Sequence, residues 1–350
     1  MLVASSQPIA AAIERTDFFR RSPFALGGPG RHKEWQHFVV LAPQLDLLVN
    51  FSACDDVRPG APQGAEFPRI VLLLREGTWD GDVETFSTEN TRIVGGRIAA
   101  DLSHNGLEFR DGKFFISVKL AERPIAVDLV LTPVTLPAFV PTVAMLDGPP
   151  MHWVVVPRLE ATGTVRTMHG VHRLERVLTY HDHNWGCFLW GNDISWEWGF
   201  VLPEERTVPW CMTFVRLTNR SRTGVLMQNL LLWRRERLVG IYRERSFTMH
   251  ADLAYARPPG VFKVPRVMAL LAPETVPDVP RSLFVRAEDG NDWIECHCEA
   301  RDVAQVLIPS ETKLGVTIFN EVAARTTVRG LFAGEEIAFS GRSILEFIRA

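Results

Sequence analysis

Tyr180, Asp182 and Asn184 alternate with His181, His183 and Trp185 in the run Tyr-His-Asp-His-Asn-Trp-Gly, residues 180–186. On extended backbone a phenol, a carboxyl and an amide then share one face, while two imidazoles and an indole share the other. The first face is that of a general acid with two hydrogen-bonding neighbours. If that face lines an apolar barrel, burial holds the Asp182 carboxyl protonated near neutrality, able to give a proton to an alkene or a carbonyl. The plainer alternative makes Asp182 a charged anchor for a turn.

The wider window, residues 176–203, also carries Trp190, Trp196 and Trp198 and the acids Asp193 and Glu197. Together with Trp185, these indoles could wall a pocket and shelter positive charge on a substrate, worth about 0.5–2 kcal/mol per contact. They could equally be core, since Trp is a bulky core residue. His181 and His183 stand at i, i+2 and could ligate a metal. Further ligands would have to come from His152, His169, His172, or Cys296 with Cys298, which no ligand string joins. The competing reading has the histidines hydrogen-bonded across a domain interface and Cys296-His297-Cys298 in a core strand. No metal and no cofactor is expected.

The elements that must position these residues read as strands. Residues 35–40 and 45–52 form a first hairpin around Ala42-Pro43, and residues 69–75 form another strand. Residues 78–82 read as a turn, and residues 92–98 as a strand. Asn105-Gly106 and Asp111-Gly112 are turn dipeptides on either side of residues 107–110. Residues 113–120 and 126–133 follow. Short strands at regular spacing with turn chemistry between them indicate an all-β antiparallel barrel or sandwich. Amphipathic helix patterns are nearly absent; residues 9–15 read as a short helix, and residues 267–271 are ambiguous.

The chain has 350 residues, enough for about two domains. The expected division is a lead-in at 1–30, an N-terminal β-barrel at 31–150 and a C-terminal β-barrel at 151–350. The boundary is placed within 136–166, where a Pro-rich stretch reads as a connection. Net charge is −3 without long runs, which argues against a nucleic-acid partner. Five scattered Cys make no disulfide framework and suit a reducing, cytoplasmic compartment. No signal peptide and no membrane-spanning stretch is read, so stable membrane insertion is not expected. A peripheral membrane contact to collect a greasy substrate stays open. A Walker loop, a dinucleotide fingerprint and a Gly-x-Ser-x-Gly elbow are all missing.

The heptad at 180–186, followed by Trp196-x-Trp198-Gly199, resembles the hydroxyneurosporene synthase family, which contains carotenoid 1,2-hydratases and AttH-like proteins. Several natural-product cyclases and Diels–Alderases share its fold. Glu34-Trp35 is similar to the start of the family's Glu-Trp-Trp-Tyr element, though here it continues Gln36-His37. Trp153-x-x-x-Pro157 and Gly163-x-Val165 are similar to the run that leads into the motif. The resemblance implies two lipocalin-like β-barrel domains and a hydrophobic pocket, with Tyr180 and Asp182 as the catalytic pair. Trp35 and Glu34 join His181, His183 and the four Trp as expected substrate contacts. The His-Asp-His-Asn-Trp-Gly form is closer to the AttH-like branch than to the carotenoid hydratases.

Three functions are then open. The first is a cofactor-independent enzyme on a hydrophobic polyene or isoprenoid, with Asp182 protonating a double bond and Asn184 and Tyr180 positioning it, so that hydration or cyclisation follows. The second is a Diels–Alderase-type pericyclase on a polyketide or terpenoid chain, working by shape and orientation. The third is a non-catalytic lipocalin-like binder of a hydrophobic ligand. A buried polar face counts against the third, because an acid costs free energy in a dry pocket.

Overall fold

The computed structural model describes residues 7–20, 31–56, 65–140, 151–189, 194–255, 261–309 and 315–349. Two compact units divide the chain, Met1–Phe188 and Leu189–Ala350.

In the first unit, helix α1 (Gln7–Thr16) precedes β1 (His32–Leu41), β2 (Asp46–Cys54), β3 (Arg69–Glu76) and β4 (Thr78–Thr85). There follow β5 (Thr91–Ile93), β6 (Ala99–Leu102), β7 (Asn105–Arg110), β8 (Lys113–Lys119), β9 (Ala126–Pro133) and β10 (Ala138–Val140). Two long strands close the unit, β11 (His152–Thr167) and β12 (Gly170–Cys187). All 12 strands form one sheet in the order β4-β3-β2-β1-β12-β11-β9-β8-β7-β6-β5, with β10 beside β11. Its named pairs are antiparallel, whether joined by a short turn, as β11 and β12 are, or distant in sequence, as β1 and β12 are.

This sheet curls until its far parts meet. Arg123 of the β8–β9 turn pairs with Asp80 of β4 at 3.3 Å, and the Ala121 N–H donates to Glu84. The curl is helped by Gly163, where β11 slips register against β12. Its φ is +145°, and a Cβ there would lie 2.1 Å from the Asp128 carbonyl oxygen. Only glycine lets the strands approach so closely. Inside the curl, alternate side chains make one apolar core, among them Phe38, Val40, Val49, Phe51, Leu72, Phe114 and Leu129. Ile13 of α1 and Phe19 just after it are fully buried in the same core.

The second unit holds β13 (Ser195–Pro203), β14 (Trp210–Thr218), β15 (Val225–Arg234), β16 (Arg237–Arg243), β17 (Phe247–Ala254) and β18 (Phe262–Val264). Helix α2 (Arg266–Leu271) precedes β19 (Pro280–Asp289), β20 (Asp292–Pro309), β21 (Val316–Phe332) and β22 (Glu335–Arg349). The 10-stranded sheet runs β16-β15-β14-β13-β22-β21-β20-β19-β17, and β18 pairs with β20 in parallel. Side chains bridge its curl: Arg216 of β14 donates to the Met249 carbonyl at 2.9 Å, and Gln228 of β15 donates to that of Phe247 at 2.9 Å. A second apolar core fills it, with Phe214, Leu232, Val285, Val322 and Phe347. The architecture is thus all-β, with two lipocalin-like antiparallel units. No helix among the described residues is long and apolar enough to cross a membrane.

Several expectations need correction. The division falls at 188/189 and not within 136–166, because β10 and β11 continue the first sheet. The Pro-rich stretch therefore connects strands of one unit; residues 141–150 lie outside the described residues. Residues 78–82 are strand, with the turn compressed to Gly77 at φ +78°. The turn expected at Asn105-Gly106 lies two residues earlier, where Ser103 takes φ +62°, and Asn105 is already in β7. Asp111-Gly112 does turn, with φ of +51° and +72°. Residues 92–98 split into β5 and a turn, and residues 267–271 are helical in α2.

Candidate active site

Parity along β12 separates its two faces as alternation requires, and it is not the Tyr180, Asp182 and Asn184 face that meets the condition of lining the apolar barrel. His181 pairs across β1 with Phe38, a core residue, whereas Asp182 pairs with His37. The His181, His183 and Trp185 face therefore looks into the apolar core, and the Tyr180, Asp182 and Asn184 face looks away from it. Asp182 does not line the barrel interior.

On that outer face the Asp182 carboxyl accepts from Tyr180, Trp153 and Asn184. The Tyr180 hydroxyl donates to Oδ2 at 2.9 Å and the Trp153 indole N–H to the same oxygen at 3.0 Å. The Asn184 amide donates to Oδ1 at 3.1 Å. Asp182 is 3% exposed and Tyr180 is fully buried. Trp153 comes from β11, where it lies opposite Asn184, so two residues of β12 and one of β11 converge on a single carboxyl. Trp35 faces the same side, opposite Asn184 across β1, with its ring edge-on to Phe188 at 6.3 Å.

His37 and Asn50 complete this face. His37 lies opposite Asp182 on one side and opposite Asn50 of β2 on the other. Its Nδ1 is 3.4 Å from the Asn50 amide nitrogen. Burial, with the charge of His181 behind it, pushes His37 down to about 3, so its imidazole is neutral at physiological pH.

The inner face does different work. His181 Nδ1 donates to the His37 carbonyl at 2.9 Å, and Nε2 meets Asp17 Oδ2 at 2.8 Å. His183 Nδ1 lies 3.0 Å from Asp17 Oδ1, and its Nε2 lies 2.7 Å from Glu34 Oε1. Glu34 also accepts from the Arg20 backbone N–H at 2.7 Å and meets His32 Nε2 at 3.3 Å. Burial opposes charge on Asp17, but His181 and His183 outweigh it and hold the carboxyl at about 2. Burial likewise opposes charge on His183, yet its bonds to Asp17 and Glu34 raise it. His32 is raised to about 10: burial opposes the charge, and the Cys187 thiol and Glu34 overcome it. Trp185 ends this row, with the Arg20 guanidinium 4.1 Å over its ring.

His181, His183 and Glu34 therefore clamp the segment after α1 inside the first unit, and do not bridge two domains as expected for the histidines. Both imidazoles direct their ring nitrogens at carboxylates and a carbonyl rather than at a vacant centre. Glu34 sits in this clamp and apart from the Asp182 face.

In the second unit, β13 carries Trp196 and Trp198 on the face opposite its core, since Val201 of the other parity is core. The Trp196 indole donates to Glu346. Trp198 lies opposite Glu346, and Glu346 opposite Glu321. Burial raises the Glu346 carboxyl, against hydrogen bonds with Glu321 and Trp196. Glu197 points the other way and pairs with Arg216 and Arg349. Cys296 and Cys298 are core, as read, with burial pushing the Cys298 thiol up to about 12. Trp190 and Asp193 lie outside the described residues.

Sequence reasoning missed Asp17, His37 and Asn50 and gave Trp153 no role. Asp17 lies in a segment read as lead-in, and its partners stand about 165 positions away; no local pattern points to it. The other three are visible only once strand register is known. Trp153 gave a partial signal, being four residues before Pro157 in the run leading to the heptad.

No protein-family model matches the chain, and no curated protein matches it in sequence. Solved structures do match it in fold. A "putative AttH" from Nitrosomonas europaea aligns with a TM-score of 0.65 and 14% identity, over 93% of this chain and 95% of its own. Kievitone hydratase from Nectria haematococca gives 0.58 and 9%, over 94% of this chain and 93% of its own. CghA in complex with Sch210972 gives 0.58 and 11%, over 91% of this chain and 88% of its own. At such identities the likeness is one of fold, and that fold is the one the heptad's resemblance implied.

Proposed function

We propose that the protein is a cofactor-independent enzyme that adds a proton to a carbon–carbon double bond of a hydrophobic polyene or isoprenoid, starting hydration or cyclisation, with Asp182 as the proton donor. The supporting observation is the way Tyr180, Trp153 and Asn184 hold its carboxyl. Oδ2 is held by Tyr180 and Trp153, while Oδ1 has Asn184. An indole N–H can only donate, so Trp153 fixes Oδ2 as an acceptor. A proton can then ride on Oδ1, with the Asn184 amide turned to offer its oxygen. Both protonation states keep their hydrogen bonds without movement of the strand. A group that gives up and regains a proton needs that property.

In the hydration route the alkene π pair takes the Oδ1 proton and forms a C–H bond. The adjacent carbon becomes a cation, with Trp35 on the same face to shelter it. A water oxygen closes on the cation and returns a proton to the carboxylate, so that water is added overall. An internal nucleophile in place of water gives cyclisation. That one neighbour of this fold is a hydratase, and another was crystallised with a bound small molecule, supports an enzyme of this general kind. Trp196 and Trp198 belong to the other unit and enter no step.

Incubation of acyclic terpenoids and prenylated phenols in heavy water tests the proposal. One deuterium on carbon is expected in the product, and Asp182→Asn should lower turnover by at least about 10²-fold with the fold intact. A pericyclase would incorporate no deuterium and would retain partial activity in Asp182→Asn. A binder would return its ligand unchanged. Near-normal turnover in the variant removes the proton-donor role.

A further inference from the structure

In β20, Cys296 and Cys298 point into the core of the second unit, so His297 and Glu299 point to the opposite face. Strand register sets Thr327 of β21 opposite His297, and Ser340 of β22 opposite Thr327. Two residues along, Arg325 lies opposite Glu299. With Arg301, and with Glu204 just after β13, these side chains line a cavity of about 270 Å³. Among the described residues no Val, Leu, Ile, Met, Phe or Trp lines it, so it is no pocket for a hydrocarbon. It belongs to the second unit, whereas Asp182 belongs to the first.

The charges of the lining balance. Arg301 donates to Glu299 at 2.8 Å, and Arg325 lies 4.0 Å from Glu204. A bare anion would meet two carboxylates and a bare cation two guanidiniums, each an unfavourable contact. A neutral ligand rich in both donors and acceptors meets neither penalty. A carboxylate only accepts and a guanidinium only donates, each through atoms fixed in one plane, so each spans a pair of adjacent hydroxyls. The Thr327 and Ser340 hydroxyls do either. Both ion pairs are solvent-exposed and therefore weak, so ligand hydroxyls replace the water around them without breaking a strong bond. The His297 ring is held flat against Phe284, with centroids 4.4 Å apart and planes 6° apart. A flat, electron-rich ring suits the C–H side of a sugar.

We propose that this cavity binds a neutral polyol, a single sugar ring, with Glu299, Arg301 and Arg325 gripping adjacent hydroxyls and the His297 imidazole against its C–H side. The volume is slightly below the roughly 300–1,000 Å³ of pockets for drug-sized ligands, which suits one ring. That ring is either a free monosaccharide or the end of a glycan, since Glu299, Arg301, Arg325 and Ser340 are all exposed to solvent. The site does not depend on the reading of Asp182.

Saturation-transfer NMR on the full chain tests this, with methyl β-D-glucopyranoside, methyl β-D-galactopyranoside and methyl α-D-mannopyranoside as probes. At least one should show saturable transfer to its ring protons. Tetrahydropyran-2-methanol, which keeps the ring and lacks the adjacent hydroxyls, should show none. Arg325→Ala and Glu299→Gln, both at exposed positions, should each weaken binding at least about tenfold. Arg237→Ala, in β16, should leave it unchanged. The matching methyl disaccharide separates the two sources: equal affinity assigns a free monosaccharide, and tighter binding assigns the end of a glycan.

No transfer to any of the glycosides overturns the proposal. So does binding that survives both Arg325→Ala and Glu299→Gln, because the sugar then sits elsewhere. Inorganic phosphate that binds more tightly than every glycoside, and is lost in Arg325→Ala, makes the cavity an anion site and overturns it as well.

Discussion

Asp182 and His183 are consecutive, both are buried, and each is held by polar partners; they differ in what removal leaves behind. Asp182 accepts from the neutral donors Tyr180, Trp153 and Asn184, and an amide in its place keeps a polar group for them. His183 stands between two carboxylates, Asp17 and Glu34, neither of which has meaningful contact with water. Glutamine at 183 can hydrogen-bond to one of them but supplies no charge. Breaking a buried pair in this way costs about 3–5 kcal/mol, because the uncompensated charges stay in low dielectric. Urea denaturation should show that loss for His183→Gln and a much smaller one for Asp182→Asn. Equal losses would mean that the carboxylates of the clamp are solvated.

At the scale of elements, α1 and the turn after it are tied to the sheet in two ways. Ile13 and Phe19 are apolar anchors with no pH dependence. The clamp through Asp17 does depend on pH. Asp17 is depressed from 3.8 to about 2, so its contribution is complete above 3.8 and is lost as pH falls through about 2. His183 is raised from 6.5, so its contribution is complete below 6.5 and is lost as pH rises through its folded value. The helix should therefore be held most firmly between pH 3.8 and 6.5, and more loosely toward alkaline pH. Hydrogen exchange of the α1 amides, corrected for intrinsic rates, should show protection falling above pH 6.5 before that of β1 and β12. Protection that is flat to pH 10 would leave the apolar anchors as the only tie.

The strands of this fold were largely legible because their alternation, turn dipeptides and spacing are local. Residues 35–40 and 69–75 lie within β1 and β3, and residues 45–52 overlap β2 in all but the first position. Failures came where two signals compete. Asn105-Gly106 is a good turn pair, yet the chain turns at Ser103, and Asn105 instead uses its side-chain oxygen to accept from the Lys119 N–H at 2.7 Å. Tyr180, Asp182 and Asn184 were grouped correctly by parity alone. Which side of the sheet they occupy was not legible, because that depends on Phe38 pairing with His181, a contact spanning most of the first unit.

Over the whole molecule, both sheets carry their thiols inward or under cover. Cys54, Cys187, Cys211, Cys296 and Cys298 are all buried and unpaired with one another. The 5 thiols of the chain should therefore be silent to a charged aromatic disulfide reagent in the native protein and react together on denaturation. The native labelling rate would then report unfolding of whichever unit opens first, since Cys54 and Cys187 belong to the first and the other three to the second. One thiol reacting at once, with the fold intact, would show that its cover is not permanent.

The alternation along β12 also bears on how such a protein can change its chemistry. Positions 181 and 183 tie the segment after α1 to the sheet through buried charges, whereas positions 180, 182 and 184 hydrogen-bond among themselves on the other face. Random substitution confined to 180, 184, 37, 50 and 153 leaves the charged clamp intact and should yield a larger share of folded variants. The same diversity spread over 181, 183, 17 and 34 should yield mostly misfolded ones. A single-residue deletion between the hairpin turn and Tyr180 would exchange the two sets, presenting imidazoles where the acid stood and burying the acid in the apolar core. Descent with new function along this strand is therefore expected to proceed by replacement at every second letter, and hardly ever by change of length.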